Sequence, residues 1–361
     1  VTDKLNDGLS KEEAMILAYL KDNPRISAPE LHDGLVRSHP NFSMALSTVK
    51  RRLSGEFMKM NLVASAGRGK GLKYSLTPAY QLIHPINVDE YFSLENRKIR
   101  DRFNFELMES IEGVGLFTDD EMQELQSLQR QYELNISKLS SSAYQMEIER
   151  LSIDLSWKSS QIEGNTYSLL DTELLLKEQQ TAKGKTVEEA TMLLNHKKAI
   201  DFLVQNPDFF EALKIRDIED VHSMLVEKLD VPRNLRKELV RIGGTDYLPL
   251  DNEHQIRESV QDACRVINSK KNVFEKALLA LVLLSYIQAF MDGNKRVARI
   301  VANGILMTNK HCPISFRTVD SGDYKKAMLV FYEQNNLSAF KQIFMEQFKF
   351  AVGEYFRVRE Q

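Results

Sequence analysis

The sequence predicts a mainly helical protein with one small β-hairpin, and three observations carry that expectation. The chain has 361 residues, of which 43% are apolar, enough to pack two or three domains. Its longest apolar stretches have helical length and spacing: the run from Phe274 to Ile287, and the segment that begins near Lys295 and continues through Val297, Ile300, Val301, Ile305 and Leu306. Only Leu62 to Leu76 reads as two short strands about a turn, Gly67-Arg68-Gly69-Lys70-Gly71. Two cysteines far apart, Cys264 and Cys312, give no disulfide framework. No leader is evident, and the apolar run Ala277 to Ile287 is too short for a bilayer. The expectation is a cytoplasmic protein with no membrane association and no zinc.

The amino-terminal elements follow in order. Lys11 to Leu20 places Ala14, Ile16, Leu17 and Leu20 on one helical face, and Asn23-Pro24 ends it. A shorter helix is expected around Ala28 to Val36. After a break from Ser38 to Ser43 comes a helix from Leu46 to Met60, with Ser47 as its cap and Lys50, Arg51 and Arg52 on its surface. The hairpin with its basic tip comes next. This order resembles a winged helix-turn-helix over residues 1–80, which hold 12 Lys+Arg against 8 Asp+Glu, a net of +4 in a chain of −3 overall. The resemblance implies a helix in a DNA major groove, with Arg68, Lys70 and Lys73 on phosphates or in the adjacent minor groove, and a homodimer reading paired half-sites. A net of +4 is modest for a DNA binder, and such modules also contact proteins, so both partners stay open.

Residues 81–150 read as a helical connector. His84-Pro85 marks a break, Thr118 or Asp119 caps a helix, and Met122, Leu125, Leu128, Tyr132 and Ile136 form a stripe that reads as core. Ser140-Ser141-Ser142 separates it from the next domain, expected over residues 151–350, whose first helix runs around 152–164. Ser159 lies one turn before Glu163, and Gly164 can end the helix, which sets the carboxylate at a helix end.

The run Phe290-Met291-Asp292-Gly293-Asn294-Lys295-Arg296-Val297-Ala298-Arg299 carries the chemistry. It joins two buried helices by a short polar turn. Gly293 can take a positive φ, Asn294 is a good N-cap, and the free N–H groups of the first turn point at whatever sits there. Lys295, Arg296 and Arg299 lie at the positive end of the helix dipole, where cations are unfavourable alone. They fit an anion of several charges, with Asp292 placed to hold a divalent cation against it. Three basic residues on an amphipathic helix also describe a solvated face.

With Gln288 and Ala289 in front, this run resembles the signature of the Fic family, H-x-F-x-[DE]-G-N-[GK]-R-x-x-R, departing only at its first position. Ser159-Ser160-Gln161-Ile162-Glu163-Gly164 resembles a second motif of that family, [ST]-x-x-x-E-[GN], and Asn234-Leu235-Arg236 through Tyr247-Leu248-Pro249 looks like its flap. The resemblance spans roughly residues 95–350. It implies a helical Fic core with a small β-hairpin flap, and transfer of AMP from ATP to a Ser, Thr or Tyr hydroxyl of a target protein. By the same resemblance Asp292 would hold Mg²⁺, Gly293 and Asn294 would contact the α- and β-phosphates, and Arg296 and Arg299 the phosphate tail. Phe290 and Lys295 complete the nucleotide-binding run. Glu163 would pair with Arg299 and block ATP, a self-inhibition from within the chain. Tyr247, Leu248, Pro249 and Leu250 would dock the target by strand pairing.

Gln288 stands where the family has its catalytic histidine, and an amide does not titrate usefully. A general base contributes about a hundred- to ten-thousand-fold, so catalysis is expected to be impaired while positioning and charge stabilisation remain. His196, His222, His254 and His311 have no spacing that announces a replacement. The sequence therefore supports an ATP- and Mg²⁺-binding Fic protein, self-inhibited by Glu163. Its alternatives are an ATP-responsive DNA-binding regulator of weak catalysis, and a hydrolase that removes AMP with Glu163 as base.

Overall fold

The computed structural model describes residues 9–95, 97 and 99–357. The backbone of Lys70 is among them, whereas its side chain lies outside the described residues.

The amino-terminal module comprises α1 (Lys11–Asp22), α2 (Ala28–Ser38), α3 (Leu46–Arg51) and a hairpin of β1 (Val63–Ala66) and β2 (Lys73–Leu76). Ser10 with Glu13 and Ser27 with Glu30 form reciprocal capping boxes at α1 and α2, and Asn23 is the C-cap of α1. Beyond Arg51 the helix continues through a π turn, Arg52–Glu56, and a last α turn, Phe57–Lys59. Ser47 is not its cap. Ala45 is, with no side-chain bond, because the chain is already helical at Leu46. The loop in front is pinned instead by Glu12, whose carboxylate accepts from the N–H groups of Ser43 and Met44. β1 and β2 pair antiparallel, Ser65 facing Tyr74, and Ile26 bridges Tyr74 from the other side as a one-residue third strand.

The rest is helical: α4 (Tyr80–Ile83), α5 (Val88–Ser93), α6 (Leu107–Ile111), α7 (Asp119–Ile136), α8 (Ser141–Ile162), α9 (Leu169–Glu178), α10 (Val187–Gln205), α11 (Ile215–Leu225), α12 (Glu253–Ser269), α13 (Val273–Ile287), α14 (Asn294–Thr308), α15 (Ser321–Gln334) and α16 (Ser338–Glu354). Thr118 caps α7 in a box with Glu121, and Ser140 caps α8. The helix bearing Glu163 thus starts about three turns earlier than the sequence suggested, since nothing between Ser141 and Leu151 breaks it.

α13 is the hub. Its residues from Ala277 to Leu283 are fully buried, which is why the sequence reads apolar on every face there. The apolar core is continuous from Ile16 to Phe356. Residues 80–93 are held on α15 and the turn before α16: Leu337 N–H donates to the Leu82 carbonyl, and Tyr91 Oη to Glu333 Oε2 at 2.6 Å.

The two-stranded sheet lies in the amino-terminal module, not in the flap. Over the flap the backbone is irregular, with one parallel bridge from Leu248 to Arg102. Leu248 N–H donates to the Asp101 carbonyl, so the neighbouring strand position is filled by the chain itself. Among the described residues no helix is long and apolar enough to cross a membrane.

Candidate functional site

The site lies where α13 ends, the loop 288–293 turns, and α14 begins beside the end of α8. Gln288 closes α13 in the left-handed region, φ +52°, and Gly293 precedes α14 at φ +84°. Gly293, rather than Asn294, is therefore the N-cap. Asn294 already has helical geometry, and its side chain braces the loop from inside: Oδ1 accepts from Phe290 N–H at 2.8 Å, and Nδ2 donates to the Phe290 carbonyl at 2.8 Å and to Gln288 Oε1 at 3.2 Å.

Gln288 is spent on structure. Besides that bond from Asn294, its Nε2 donates to the Ser285 carbonyl at 2.6 Å. Arg236 holds the loop from the opposite side, Nε to the Gln288 carbonyl and backbone N–H to the Ala289 carbonyl. His222 lies flat on Phe290, centroids 3.7 Å apart, with Nε2 at 3.0 Å from the Asp292 carbonyl and Nδ1 at 3.2 Å from that of Arg233. Burial drives its pKa down to about 4, against the upward pull of the two carbonyls. The ring is neutral at pH 7, so it carries one proton and donates to one of the two carbonyls at a time. Two residues far from the loop in sequence, Arg236 and His222, thus clamp it, and no spacing in the chain signalled either.

Asp292 is the exposed member, its side chain 63% accessible. Oδ1 accepts from Gly293 N–H, and Oδ2 pairs with Arg296 Nη2 at 2.9 Å. Arg296 itself is 1% exposed, and its Nε and Nη1 are buried with no hydrogen-bond partner among the described residues. Unmet guanidinium donors in a buried place are costly, and an anion removes the cost.

Arg299 is fully buried and fully engaged on one edge. Nε donates to Ser159 Oγ at 2.8 Å, and Nη2 to the Ser159 carbonyl at 3.0 Å and to Glu163 Oε1 at 2.7 Å. Lys295 Nζ reaches Glu163 Oε2 at 3.0 Å. Burial alone would raise the Glu163 pKa, but the Arg299 and Lys295 charges overcome it and hold it at about 2. Glu163 is the C-cap of α8, and Gly164 follows at φ +99°, a turn that lets the carboxylate leave the helix axis toward α14. Ser159 Oγ is also 2.7 Å from Nε2 of the buried His196, which burial and the nearby Arg299 and Arg296 charges keep neutral.

A cavity of about 340 Å³ opens beside this cluster, lined among others by Glu163, Lys295, Ile242, Tyr324, Met328 and Tyr332, a size suited to a small molecule. The structure thus brings together Ser159, Glu163, Lys295 and Arg299, and separately Gln288, Phe290, Asp292, Asn294 and Arg296 along the adjoining loop. It does not bring the flap residues to a free edge. Tyr247, Pro249 and Leu250 are buried, Tyr247 Oη donating to the Tyr286 carbonyl, and Leu248 is paired with Asp101. Exposed backbone lies just upstream, at Gly243, Gly244 and Asp246. Of the basic residues on α3 and the π turn that follows it, Lys50 and Arg51 are exposed, whereas Arg52 is bound by Glu13, at 2.9 Å, and by Glu56. Arg52 is a strut, not a free cation.

Metal chemistry has one carboxylate to draw on. No group of three or more His, Cys, Asp or Glu able to hold a metal occurs among the described residues. Mg²⁺ typically needs only one or two carboxylates when substrate phosphates and waters supply the rest, and the exposed Asp292 fits that mode.

Residues 212–306 match the family model described as Fic/DOC family. Two curated relatives are the protein adenylyltransferase Fic of Nematostella vectensis, 26% identical over 46% of this chain and 40% of that protein, and the protein adenylyltransferase fic-1 of Caenorhabditis elegans, 25% identical over 47% of this chain and 34% of that protein. The match thus spans less than half the length of either. Among solved structures, Fic-1 from C. elegans covers 65% of this chain and 71% of its own at TM-score 0.57 and 20% identity. A Fic family protein from Desulfovibrio desulfuricans covers 64% of this chain and 73% of its own at TM-score 0.52 and 16% identity. The fold is Fic-like.

Proposed function

We propose that this chain binds ATP through the loop 290–299 and transfers AMP to a protein hydroxyl, held in check by Glu163 and slowed by Gln288. The observation that carries this reading is the buried, unsatisfied Nε and Nη1 of Arg296, next to a turn whose first helical N–H groups are free of side-chain caps. A triphosphate would satisfy both. The family match over residues 212–306 and the relatives named as protein adenylyltransferases give the chemistry its direction.

In the resting arrangement Glu163 occupies one edge of Arg299 as a carboxylate stand-in for phosphate, and Lys295 doubles the grip. For transfer, Glu163 must leave, and Arg299 and Arg296 then take the phosphate oxygens. Mg²⁺, held by Asp292, would neutralise phosphate charge. The target oxygen bonds to the α-phosphorus, the bond to the β-phosphate bridging oxygen breaks, and pyrophosphate departs. The hydroxyl proton passes to water, because the Gln288 amide cannot take it. Positioning and charge stabilisation carry what rate there is.

Removal of AMP with Glu163 as base fits less well. A carboxylate held at a pKa of about 2 by two cations is a feeble proton acceptor at neutral pH.

The test is calorimetric titration of ATP with Mg²⁺ into Glu163→Gly, followed by incubation with ATP labelled at the α-phosphate. Saturable binding lost in Arg296→Ala supports the reading. Absence of binding in Glu163→Gly would overturn it.

A further inference from the structure

We infer that His196 is a positioning residue for the nucleotide site: acting through Ser159, it seats the Arg299 guanidinium, so that α8 builds the site it also blocks. The inference rests on the nucleotide reading above and extends it to a residue of α10, outside the loop and its helix.

The contacts form a short relay. Arg299 Nε donates to Ser159 Oγ at 2.8 Å, and Ser159 Oγ lies 2.7 Å from His196 Nε2. All three side chains are fully buried. A guanidinium only donates, and a hydroxyl has a single proton to give. Oγ therefore accepts from Arg299, and its own proton needs an acceptor. Among the described residues its contacts are with Arg299 and His196, so the acceptor is Nε2 and the imidazole proton sits on Nδ1. In either tautomer Nδ1 is buried without a partner. The opposite one would also aim two N–H groups at Oγ and leave the hydroxyl proton unmatched, which costs more. Burial and the nearby Arg299 and Arg296 charges keep the ring in the neutral form that can accept.

The ring is fixed from behind. α10 packs on both α8 and α14. Asn195, next to His196, ties α10 to the end of α11 and the turn after it, Nδ2 donating to the Leu225 and Glu227 carbonyls at 3.2 and 2.7 Å.

The way Arg299 is shared gives the relay its role. Ser159 takes Nε through Oγ and Nη2 through its carbonyl, whereas Glu163 takes only a contact to Nη2. Withdrawing Glu163 empties its own position alone, and the two Ser159 contacts keep the planar guanidinium aimed. A shift of the whole of α8 would carry Ser159 away and lose that seat. Unlocking is therefore a local event at the helix end, where Gly164 turns at φ +99°. A hydroxyl and an imidazole this close also describe an activated nucleophile. Ser159 has no exposed surface and its Oγ already holds Arg299, so no substrate reaches it.

Two measurements on the full chain test the relay. Long-range proton–nitrogen correlation NMR without nucleotide reads the tautomer of each imidazole, and His196, assigned by the signal missing in His196→Gln, should carry its proton on Nδ1 at neutral pH. A proton on Nε2 would overturn the inference. Calorimetric titration of ATP with Mg²⁺ into Glu163→Gly reads the role itself. Adding His196→Leu, which cannot accept, should weaken binding about tenfold or more, the worth of a hydrogen bond to a charged group. Adding His196→Gln, whose amide oxygen can accept in place of Nε2, should keep affinity within about threefold. If His196→Leu is unfolded by circular dichroism, Ser159→Ala takes its place with the same expected loss. Equal affinity in the accepting and non-accepting variants would overturn the inference alone, leaving His196 to packing. No ATP binding by Glu163→Gly itself would overturn the nucleotide reading and this inference together.

Discussion

Glu163 Oε1 accepts from Arg299 Nη2 at 2.7 Å, joining the C-cap of α8 to a guanidinium that has no exposure to solvent. Removing one partner of such a pair leaves a buried charge uncompensated, at a cost of about 3–5 kcal/mol. Glu163→Gly should therefore lower the melting temperature of the nucleotide-free protein by several degrees. The same change should tighten ATP binding at least about tenfold, equivalent to about 1.4 kcal/mol. Calorimetry and a thermal shift with and without ATP read both effects, and a variant that is destabilised without gaining affinity would assign Glu163 to stability alone.

Restoring a titratable group should restore rate. Gln288→His, placed on the Glu163→Gly background, is expected to raise transfer of α-phosphate label by about 10²–10⁴-fold, the usual worth of a general base. ATP affinity should stay within a few-fold, because the Gln288 side chain bonds to Ser285 and Asn294 and not to the guanidinium of Arg296 or Arg299 among the described residues. Unchanged transfer with intact ATP binding would mean that the geometry around residue 288, rather than its chemistry, limits the reaction.

The pH dependence follows from two groups with opposite reach. Glu163 is depressed from 4.5 to about 2, so its contribution is complete above 4.5 and is lost as pH falls through 2. The melting-temperature difference between the unaltered chain and Glu163→Gln should therefore be flat from pH 5 to pH 8. His222 is depressed from 6.5 to about 4, so protonation favours the unfolded chain and stability declines as pH falls from 6.5 towards 4. His222→Gln should make that acid slope shallower, the remainder coming from His84, His196 and His311, which burial also depresses; an unchanged slope would show that His222 contributes nothing to it.

His222→Ala removes the stacking partner of Phe290 and the imidazole that contacts the Asp292 and Arg233 carbonyls. A loss of about 2–4 kcal/mol is expected, seen as a lower denaturation midpoint. ATP affinity should fall with it, since the loop that carries Asp292 and Arg296 loses one of its clamps. A variant equally stable with equal affinity would show that Arg236 and Asn294 suffice.

Much of this was readable from residue order alone. The cap at Thr118, the hairpin, the glycine turn at Gly293 and the helix end at Gly164 are local features, and local chemistry determines them. The sequence misplaced the N-cap by one residue because Asn294 is a good cap by type, and only the fold reveals that its side chain is engaged by Phe290. It could not foresee that Arg52 is tied to Glu13, that Leu248 is paired with Asp101, or that His222 and Arg236 grip the loop. Each of those depends on segments brought together from about 40 to 150 residues away by packing, where periodicity carries no information.

The sharing of one carboxylate between Lys295 and Arg299 has a further consequence. Swinging Glu163 aside without a replacement would expose a hollow carrying two adjacent like charges, an arrangement that repels itself and attracts any polyanion nearby. On the proposed reading an unlocked but vacant protein would be a scarce species, and unlocking and filling would become effectively a single event. The lock would then respond to how much nucleotide is present rather than to chance breathing of the helix that bears it.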